Sequence, residues 1–289
     1  MQSHSDNELW ALSVNPLNPF LVVTGGGDNT LRVWDIRTNK QLKHLILDQD
    51  FRAVDWSADG SFLVIGSMAG KIYFISYDSF TVKSTYQSIF KTEKQWIQEL
   101  KISPDSNYVA YGAHGGVSKV EVLSVKPSNN NNALTQYAII NPRFTSALTH
   151  LDWSEDSNFV VCNSLAFELK FLNISAKNLI AASASADIEW NTWTCLFGFP
   201  VQGIWPPEST NYVVNYTCMS KNKKVLATAD DFSLVKLFKY PCVVEKAKYK
   251  AFSGHSSHVC KIRFSKNDLF LISVGGNDKS VFIWETDFG

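Results

Sequence analysis

Residues Leu9 to Ile36 read LWALSVNPLNPFLVVTGGGDNTLRVWDI. This stretch contains three short apolar segments, separated first by a polar turn and then by a turn of small residues. Short segments rich in Val, Leu and aromatic residues, bounded by Gly, Pro, Asn and Asp, are typical of β-strands joined by tight turns. The stretch therefore predicts a small unit of β-structure.

The same arrangement recurs five more times along the chain. Each copy has a strand followed by a polar turn, an apolar strand, a small-residue turn and an alternating strand; the further copies begin at Phe51, Ile97, Leu148, Asn215 and His258. Equivalent strand ends lie roughly forty to fifty residues apart, near the period of about 40–45 residues that characterises WD-type β-propellers. The step from the fourth copy to the fifth is longer.

A single sheet of this kind cannot bury both of its faces, whereas sheets stacked as blades around an axis bury each other. We therefore predict an all-β WD-repeat β-propeller over residues 1–289, with six clear repeats and six or seven blades.

Two segments interrupt the repeats. The run from Asn129 to Asn132 is interpreted as a solvated loop. The second segment, from Asp187 to Thr210, reads DIEWNTWTCLFGFPVQGIWPPEST and contains three Trp and two Phe. It either completes a seventh blade or distorts the fifth, and its aromatic side chains are expected to pack between blades.

Repeats one and six are closest to the WD pattern, in which four side chains form an internal hydrogen-bonded tetrad. In repeat one, the matching residues are His4, Thr24, Asp28 and Trp34. In repeat six, they are His255, Asp278 and Trp284, with Val274 in place of the hydroxyl residue. Repeats two and four have Ala69 and Ala166 at the Asp position, so these blades are expected to depend more on packing.

The His and Asp residues of these tetrads are interpreted as structural, because they recur with the blades and no nucleophile follows at a fixed offset. The glycines of TGGGDNT precede a strand, whereas a phosphate-binding loop opens a helix. The five Cys form no CxxC pair and no His lies near them at zinc spacing. We therefore expect no catalytic, cofactor or metal site and no enzymatic activity.

Lys plus Arg and Asp plus Glu each number 27, so the formal net charge is zero. Such a chain has no overall field to attract nucleic acid or an anionic membrane. It has no apolar run of membrane-spanning length and no signal peptide. Unpaired cysteines are typical of reduced, intracellular proteins, which predicts a cytoplasmic location.

Residues Lys221 to Lys250 include eight Lys against Asp230, Asp231 and Glu245. The simplest interpretation is solvated strand edges and turns. The alternative is a basic patch that binds a partner, formed by Lys221, Lys223 and Lys224.

Four blocks of sequence resemble the C-terminal propeller of the echinoderm microtubule-associated protein-like family. They are LTHLDWSEDSNFVVCNS (Leu148–Ser164), DIEWNTWTCLFGFPVQGIWP (Asp187–Pro206), VLATADDFSLVKLFKYPC (Val225–Cys242), and GHSSHV (Gly254–Val259) with LISVGGNDKSVFIWE (Leu271–Glu285). The resemblance is densest from Leu148 onward.

This resemblance implies a cytoskeleton-associated protein that binds tubulin or microtubules through tandem propellers. In that family a hydrophobic motif and a first propeller precede this part, and a coiled coil drives oligomerisation. The chain shows neither a heptad stretch nor that motif, so we do not expect it to oligomerise alone. The sixth repeat ends at Trp284 without an outer strand, which suggests a portion of a longer protein.

The favoured function is therefore a non-catalytic interaction scaffold of a microtubule-associated protein. The alternative is a general WD-repeat adaptor in a ubiquitin-ligase or trafficking complex.

Overall fold

The computed structural model of the protein describes residues 4–90, 95–115, 119–126, 133–205 and 214–287. These residues form six antiparallel sheets and almost no helix, which confirms the predicted propeller. Blades one to three contain β1 (Leu9–Val14), β2 (Leu21–Gly26), β3 (Thr30–Asp35), β4 (Lys40–Ile46), β5 (Phe51–Trp56), β6 (Phe62–Ser67), β7 (Lys71–Ser76), β8 (Thr81–Gln87), β9 (Ile97–Ile102), β10 (Tyr108–Ala113), β11 (Val120–Val125) and β12 (Leu134–Ile140).

Blades four to six contain β13 (Leu148–Trp153), β14 (Phe159–Ser164), β15 (Leu169–Asn173), β16 (Asn178–Ile180), β17 (Val214–Met219), β18 (Val225–Asp230), β19 (Leu234–Lys239), β20 (Tyr249–Ser253), β21 (Val259–Phe264), β22 (Phe270–Gly275) and β23 (Val281–Glu285). Short 3-10 turns span Ala182–Ser185 and Phe199–Ile204. The predicted loop at Asn129–Asn132 lies outside the described residues.

Each blade is a simple meander whose first strand is buried at the centre and whose fourth strand, where described, lies outermost; β4, β8 and β20 are largely exposed. First strands of neighbouring blades pack closely on each other except between β13 and β17, and β21 returns to β1, where the Leu9 amide donates to the Gly276 carbonyl at 3.1 Å. Apolar clusters join adjacent blades; one combines Val23 and Leu31 with Phe51 and Ile65. Since burying such a side chain contributes about 1.5–3 kcal/mol, the joints between blades hold the ring together.

A serine turn follows the inner strand in five blades. The Ser57 hydroxyl donates to Asp59 Oδ1 at 2.6 Å and accepts from the Phe62 amide at 3.1 Å. The equivalent turns begin at Ser103, Ser154, Ser220 and Ser265. The recurring Ser-x-Asp/Asn pattern in the sequence is therefore the closure of the first hairpin, with both the hydroxyl and the Asx side chain hydrogen bonded.

The segment of residues 187–205, here called the wedge, lies between blades four and five. Trp193 and Val201 are buried in a cluster that includes Val161 of β14 and Leu226 of β18. The prediction that these aromatics pack between blades is borne out by Trp193, although Phe199 is 70% exposed. Within the described residues the wedge forms no sheet, only an isolated bridge between Ser154 and Trp190.

Asp152 of β13 fixes the wedge in place. Its fully buried carboxylate accepts hydrogen bonds from the Thr192 hydroxyl at 2.5 Å, the Thr194 amide at 2.6 Å and the Cys195 amide at 3.1 Å. Two alternatives from the sequence are therefore corrected: the described part of the Asp187–Thr210 insertion completes no seventh blade, and the fifth blade keeps four regular strands. The buried carboxylate holds this backbone in a compact form that fills a gap in the ring.

The tetrad of the first blade is assembled as a chain of hydrogen bonds. The Trp34 indole donates to Thr24 Oγ1 at 2.8 Å, that hydroxyl contacts His4 Nε2 at 2.9 Å, and His4 Nδ1 contacts Asp28 Oδ1 at 2.8 Å. Because the indole can only donate, every link is satisfied when the Thr24 hydroxyl donates to His4 Nε2 and His4 Nδ1 donates to Asp28. Burial opposes ionisation of Asp28, but hydrogen bonds from His4 and Thr30 outweigh it and lower the pKa of this carboxyl.

The sixth blade has the same series of hydrogen bonds, but its hydroxyl residue is not at the position that the sequence predicted. Ser273, not Val274, accepts from the Trp284 indole at 2.9 Å and contacts His255 Nε2 at 2.8 Å. His255 Nδ1 contacts Asp278 at 2.9 Å. Ser273 lies eleven residues before its tryptophan, whereas Thr24 lies ten before Trp34, so alignment without a gap placed the wrong residue at this position.

Ala69 and Ala166 stand at the aspartate position of blades two and four, so a greater dependence of these blades on packing stays a prediction, but both blades keep a hydrogen-bonded serine. In blade two the Ser67 hydroxyl donates to Gln49 at 2.9 Å and accepts from the Lys71 amide. In blade four the Ser164 hydroxyl donates to Glu168 at 2.7 Å. A side chain from a different position therefore replaces the missing aspartate in each blade.

We expect Asp28→Ala to lower the free energy of unfolding by about 1–3 kcal/mol, because it leaves buried donors without a partner. Trp34→Ala should cost about 3–5 kcal/mol through lost packing as well. Urea unfolding would measure both, with Asp6→Ala as the matched control because Asp6 is exposed. Parental stability of both variants would contradict the tetrad's structural role.

The position of the wedge between two blades leads to a separate prediction. Trp193→Ala should destabilise the protein by about 3–5 kcal/mol, since it opens a cavity between two blades. Phe199→Ala, an equally large truncation in the same segment, should change stability by less than about 0.5 kcal/mol because the ring is mostly exposed. Equal thermal shifts for the two variants would show that the wedge does not support the ring.

Candidate protein-interaction surfaces at the axis

The inner strands place charged side chains at the centre of the ring. Glu99 of β9 pairs with Lys261 of β21 at 2.9 Å and accepts a hydrogen bond from the Tyr216 hydroxyl of β17 at 3.1 Å. These strands belong to blades three, six and five, and β9 and β21 are not neighbours in the ring. The contacts therefore cross the axis, and these residues form the axial cluster.

The charges of the axial cluster are strongly coupled. Burial opposes the ionised form of Glu99, but Lys261, Lys101 and Arg263 together outweigh it and lower the pKa of the carboxyl to about 2. Burial lowers the pKa of the Lys261 ammonium, although Glu99 acts in the opposite direction. One carboxylate thus balances several buried cations.

His150 of β13 completes the ring of polar groups. Its Nε2 lies 3.1 Å from the Asn215 carbonyl, and its ring meets Tyr216 edge-on at 5.0 Å between centroids. Burial lowers the pKa of this imidazole to about 4, with Glu99 opposing the shift. His150 is therefore neutral at physiological pH and donates to the carbonyl.

The axis opens at the serine-turn end into a cavity of about 400 Å³, here called the axial mouth. All six blades and the wedge contribute to its lining. The charged lining residues are Asp55, Lys101, Lys221, Arg263 and Lys266. Its walls also include the apolar residues Trp56, Ile102, Trp153, Met219 and Phe264.

The opposite end of the axis carries a stack of aromatic rings around one cation, here called the arginine stack. The Arg52 guanidinium lies 3.9 Å from the ring centroid of Trp10 and 5.1 Å from that of Trp96. Trp96 stacks on His114 at 4.1 Å, and Trp10 contacts His258 at 5.8 Å. All five side chains are partly exposed. Trp and Arg are over-represented among the residues that dominate protein–protein binding energy.

The sequence did not single out the arginine stack. Trp10 and Arg52 each follow the first residue of an inner strand, where the strand bulges against its neighbour. The bulge and the convergence of blades are properties of the ring, so spacing along the chain does not reveal them. The axial cluster had a clearer signal: the charged residues of IQELKI and VCKIRF interrupt strands that should be apolar.

The candidate patch of Lys221, Lys223 and Lys224 does not form one surface. Lys221 lines the axial mouth. Lys223 pairs with Glu155 at 2.9 Å and with Glu189 of the wedge at 2.7 Å. Lys224 lines a separate groove beside Tyr249 and Trp284. Neighbours in sequence therefore have three different surroundings.

The tetrad residues also resemble a Ser–His–Asp triad in their distances. However, Ser273 and Thr24 are fully buried, and each hydroxyl oxygen already accepts from a tryptophan. Such a hydroxyl cannot reach a substrate. Within the described ranges, no three His, Cys, Asp or Glu side chains are grouped so that they could hold a metal ion, and no helix is long and apolar enough to cross a membrane.

The pKa of His150 predicts a loss of stability in mild acid. Its folded value of about 4 lies below its ordinary value of 6.5, so between them the unfolded chain binds a proton that the folded chain does not. The free energy of unfolding should fall on the order of 2–3 kcal/mol as pH drops through this window. The pKa values of His255 and His114 are also lowered, chiefly by burial, and add in the same direction.

Urea unfolding at a series of pH values would measure this dependence. His150→Gln keeps a donor for the Asn215 carbonyl but does not titrate, so it should reduce the slope of unfolding free energy against pH above pH 4.5, leaving the part due to His255 and His114. The stability that ionised Glu99 contributes is lost only when the pH falls below 4.5, the ordinary pKa of a glutamate. The effect of Glu99 is therefore separable from that of His150, which appears above pH 4.5. An unchanged slope in His150→Gln would contradict the assignment.

Comparison with known proteins places this ring in a family. The family description "Echinoderm microtubule-associated protein second beta-propeller" matches residues 9–286. Echinoderm microtubule-associated protein-like 3 of Mus musculus is 34% identical over 287 residues, covering 98% of this chain and 31% of that protein. The like-1 protein of Rattus norvegicus is 34% identical, covering 98% and 34%, and the like-4 protein of Homo sapiens is 32% identical, covering 99% and 28%.

The chain thus spans about a third of the length of these curated relatives. A chain of Kuenenia stuttgartiensis hydrazine synthase superposes with a TM-score of 0.76 at 10% identity, covering 100% of this chain and 99% of that chain. That similarity shows the fold alone. The match over almost the whole chain agrees with the resemblance found in the sequence: the chain belongs to the echinoderm microtubule-associated protein family, in the part that forms its second β-propeller.

Proposed function

We propose that this propeller is a non-catalytic interaction scaffold within a microtubule-associated protein. The observation that carries the proposal is the match of residues 9–286 to the second propeller of a family named for microtubule association. The buried, fully engaged tetrads agree with it, because their polar groups hold blades together and face no substrate.

The arginine stack is the surface best suited to a protein partner. Arg52 is held between two indole rings, so little side-chain entropy remains to be lost on binding. Its pKa is lowered by burial, with Glu8 opposing, which shows a guanidinium already partly removed from water. A partner that covers it would add contact area at a modest further cost of desolvation.

We also propose that the propeller is part of a longer, cytoplasmic and cytoskeleton-associated polypeptide. The curated relatives are about three times as long as this chain. All five cysteines are buried and unpaired, which suits a reducing compartment. In a longer protein, several attachment points would act together, and linked sites can raise apparent affinity by about 10²–10⁴-fold.

From this proposal we expect the chain alone to bind microtubules weakly. Its zero net charge gives little long-range attraction to an acidic filament. Co-sedimentation with microtubules at low salt and at about 0.15 M salt would measure it, and we expect weak pelleting that the higher salt removes. A longer polypeptide containing this propeller should pellet at both. Salt-resistant, micromolar pelleting of the chain alone would contradict the expectation.

The surface is tested in the longer polypeptide. Arg52→Ala should weaken its association with tubulin, whereas Phe199→Ala, which removes an exposed aromatic ring far from the stack in sequence, should not. The longer polypeptide could instead fail to bind tubulin and assemble with a ubiquitin-ligase or trafficking complex through the arginine stack. That result would replace the microtubule-associated function with the general adaptor function.

A further inference from the structure

The axial mouth contains a buried cation without a hydrogen-bond partner on one side. Arg263 has only 6% of its surface exposed, and its Nη1 has no partner among the described residues. Its Nη2 lies 3.8 Å from Glu99 Oε1, beyond ordinary hydrogen-bond distance. Leaving a buried donor unpaired is unfavourable, and more so when the group is charged. Arg263 is one of the residues that line the mouth.

The carboxylates near the mouth are already engaged. Asp55 accepts from the Ser13 hydroxyl at 3.0 Å and the Ile102 amide at 3.0 Å. Glu99 is shared by Lys261 and Tyr216, and Asp152 is taken by the wedge. None of these acids has its strongest contacts with the cations at the entrance.

The cations outnumber the acids at the entrance. Lys101, Lys221, Arg263 and Lys266 line the mouth, whereas Asp55 is its only acidic lining residue among those described. Lys221 is exposed, yet it stands in the concave opening, so loss of water lowers the pKa of its ammonium and the like charges of Arg263 and Lys101 lower it further. Glu99 lies 3.8 Å from both Lys101 and Arg263 and offsets only part of this positive charge, so a negative group placed among the four cations would relieve the remaining repulsion.

On these grounds we propose that the axial mouth binds an acidic segment of a partner protein, with one carboxylate of that segment directed at Arg263 and Lys221. The guanidinium offers two parallel donors, the geometry that suits a carboxylate. This inference deepens the proposed scaffold function by naming the chemistry of a partner.

The size of the mouth favours an acidic side chain over a small inorganic anion. Trp56, Trp153 and Phe264 line the cavity beside the cations, but each ring is at most 4% exposed, so they shape the cavity and offer a ligand little surface. The cavity of about 400 Å³ is within the range of about 300–1,000 Å³ typical of ligand sites, and it has room for only a short segment.

The test is the binding of a fluorescein-labelled hexaglutamate peptide to this chain, followed by fluorescence anisotropy. Hexaglutamine with the same label is the control for charge. We expect saturable binding of hexaglutamate only, weaker at about 0.15 M salt than at low salt. Lys221→Gln should weaken binding at least about threefold, and Arg263→Gln at least about tenfold, because the latter removes the buried charge. Arg263→Lys, which keeps the charge but not the paired donors, should lie between the parent and Arg263→Gln.

Lys224→Gln is the matched control, since it removes an exposed lysine three residues from Lys221 that lines a different groove. It should change the affinity less than about twofold. Circular dichroism and thermal melting establish that each variant is folded; if Arg263→Gln is not, the exposed Lys221 still decides the outcome.

Three results would overturn the inference: no binding of hexaglutamate at low salt, equal binding by the parent and Lys221→Gln, or occupation by inorganic phosphate in a competition assay that hexaglutamate does not affect. The last would show a site for small anions only. None of these measurements involves tubulin. A failure of hexaglutamate binding would therefore not contradict the scaffold function. Conversely, a failure of microtubule association would not contradict peptide binding at the axial mouth.

Discussion

A four-stranded sheet has two apolar faces, and each blade of this protein must bury both against neighbours. Ring closure meets this requirement for six blades, with β21 returning to β1. The joint between β13 and β17 is the exception, because the wedge lies there. Trp193, Leu196 and Val201 supply buried surface that the two flanking blades would otherwise expose. The ring therefore depends on a segment that has almost no regular secondary structure.

An irregular segment can fill this gap only if its backbone polar groups find partners. Asp152 meets that demand by accepting from two amides and two hydroxyls of the wedge. A neutral residue could not serve so many donors at once. The energetic role of this aspartate is thus comparable to that of Asp28 in the first blade: a buried carboxylate saturated with donors holds a turn in one conformation.

The sequence predicted the parts of the fold that repeat. Ser57, Ser103 and Ser154 recur because every first hairpin needs the same hydrogen-bonded closure, and the strands between them follow. It could not decide between six and seven blades, because the wedge is as aromatic as a strand but, in its described part, forms only an isolated bridge and no sheet. It misplaced Ser273 because the turn before Asp278 is longer by one residue, while Asp278 and Trp284 keep the same six-residue spacing as Asp28 and Trp34.

The axial surfaces escaped prediction for a different reason. Trp10, Arg52 and Trp96 belong to three repeats, and only closure of the ring brings them together. Three lysines close together in sequence show the converse. Lys221 lines the axial mouth, Lys223 forms an ion pair with Glu155, and Lys224 lines a separate groove. Proximity along the chain predicts contacts within a blade, because each strand pairs with its neighbour in sequence. It does not predict which groups meet across the axis.

The wedge also borders the axial mouth. Asn191 and Thr192 line that cavity, and the same segment engages Asp152. Without those donors, Asp152 would be a buried carboxylate without partners on an inner strand, and its charge would act on His150 and Tyr216 of the neighbouring axial cluster. The wedge therefore has two roles: it fills the gap in the ring, and it neutralises the demand of this carboxylate for donors beside the axis.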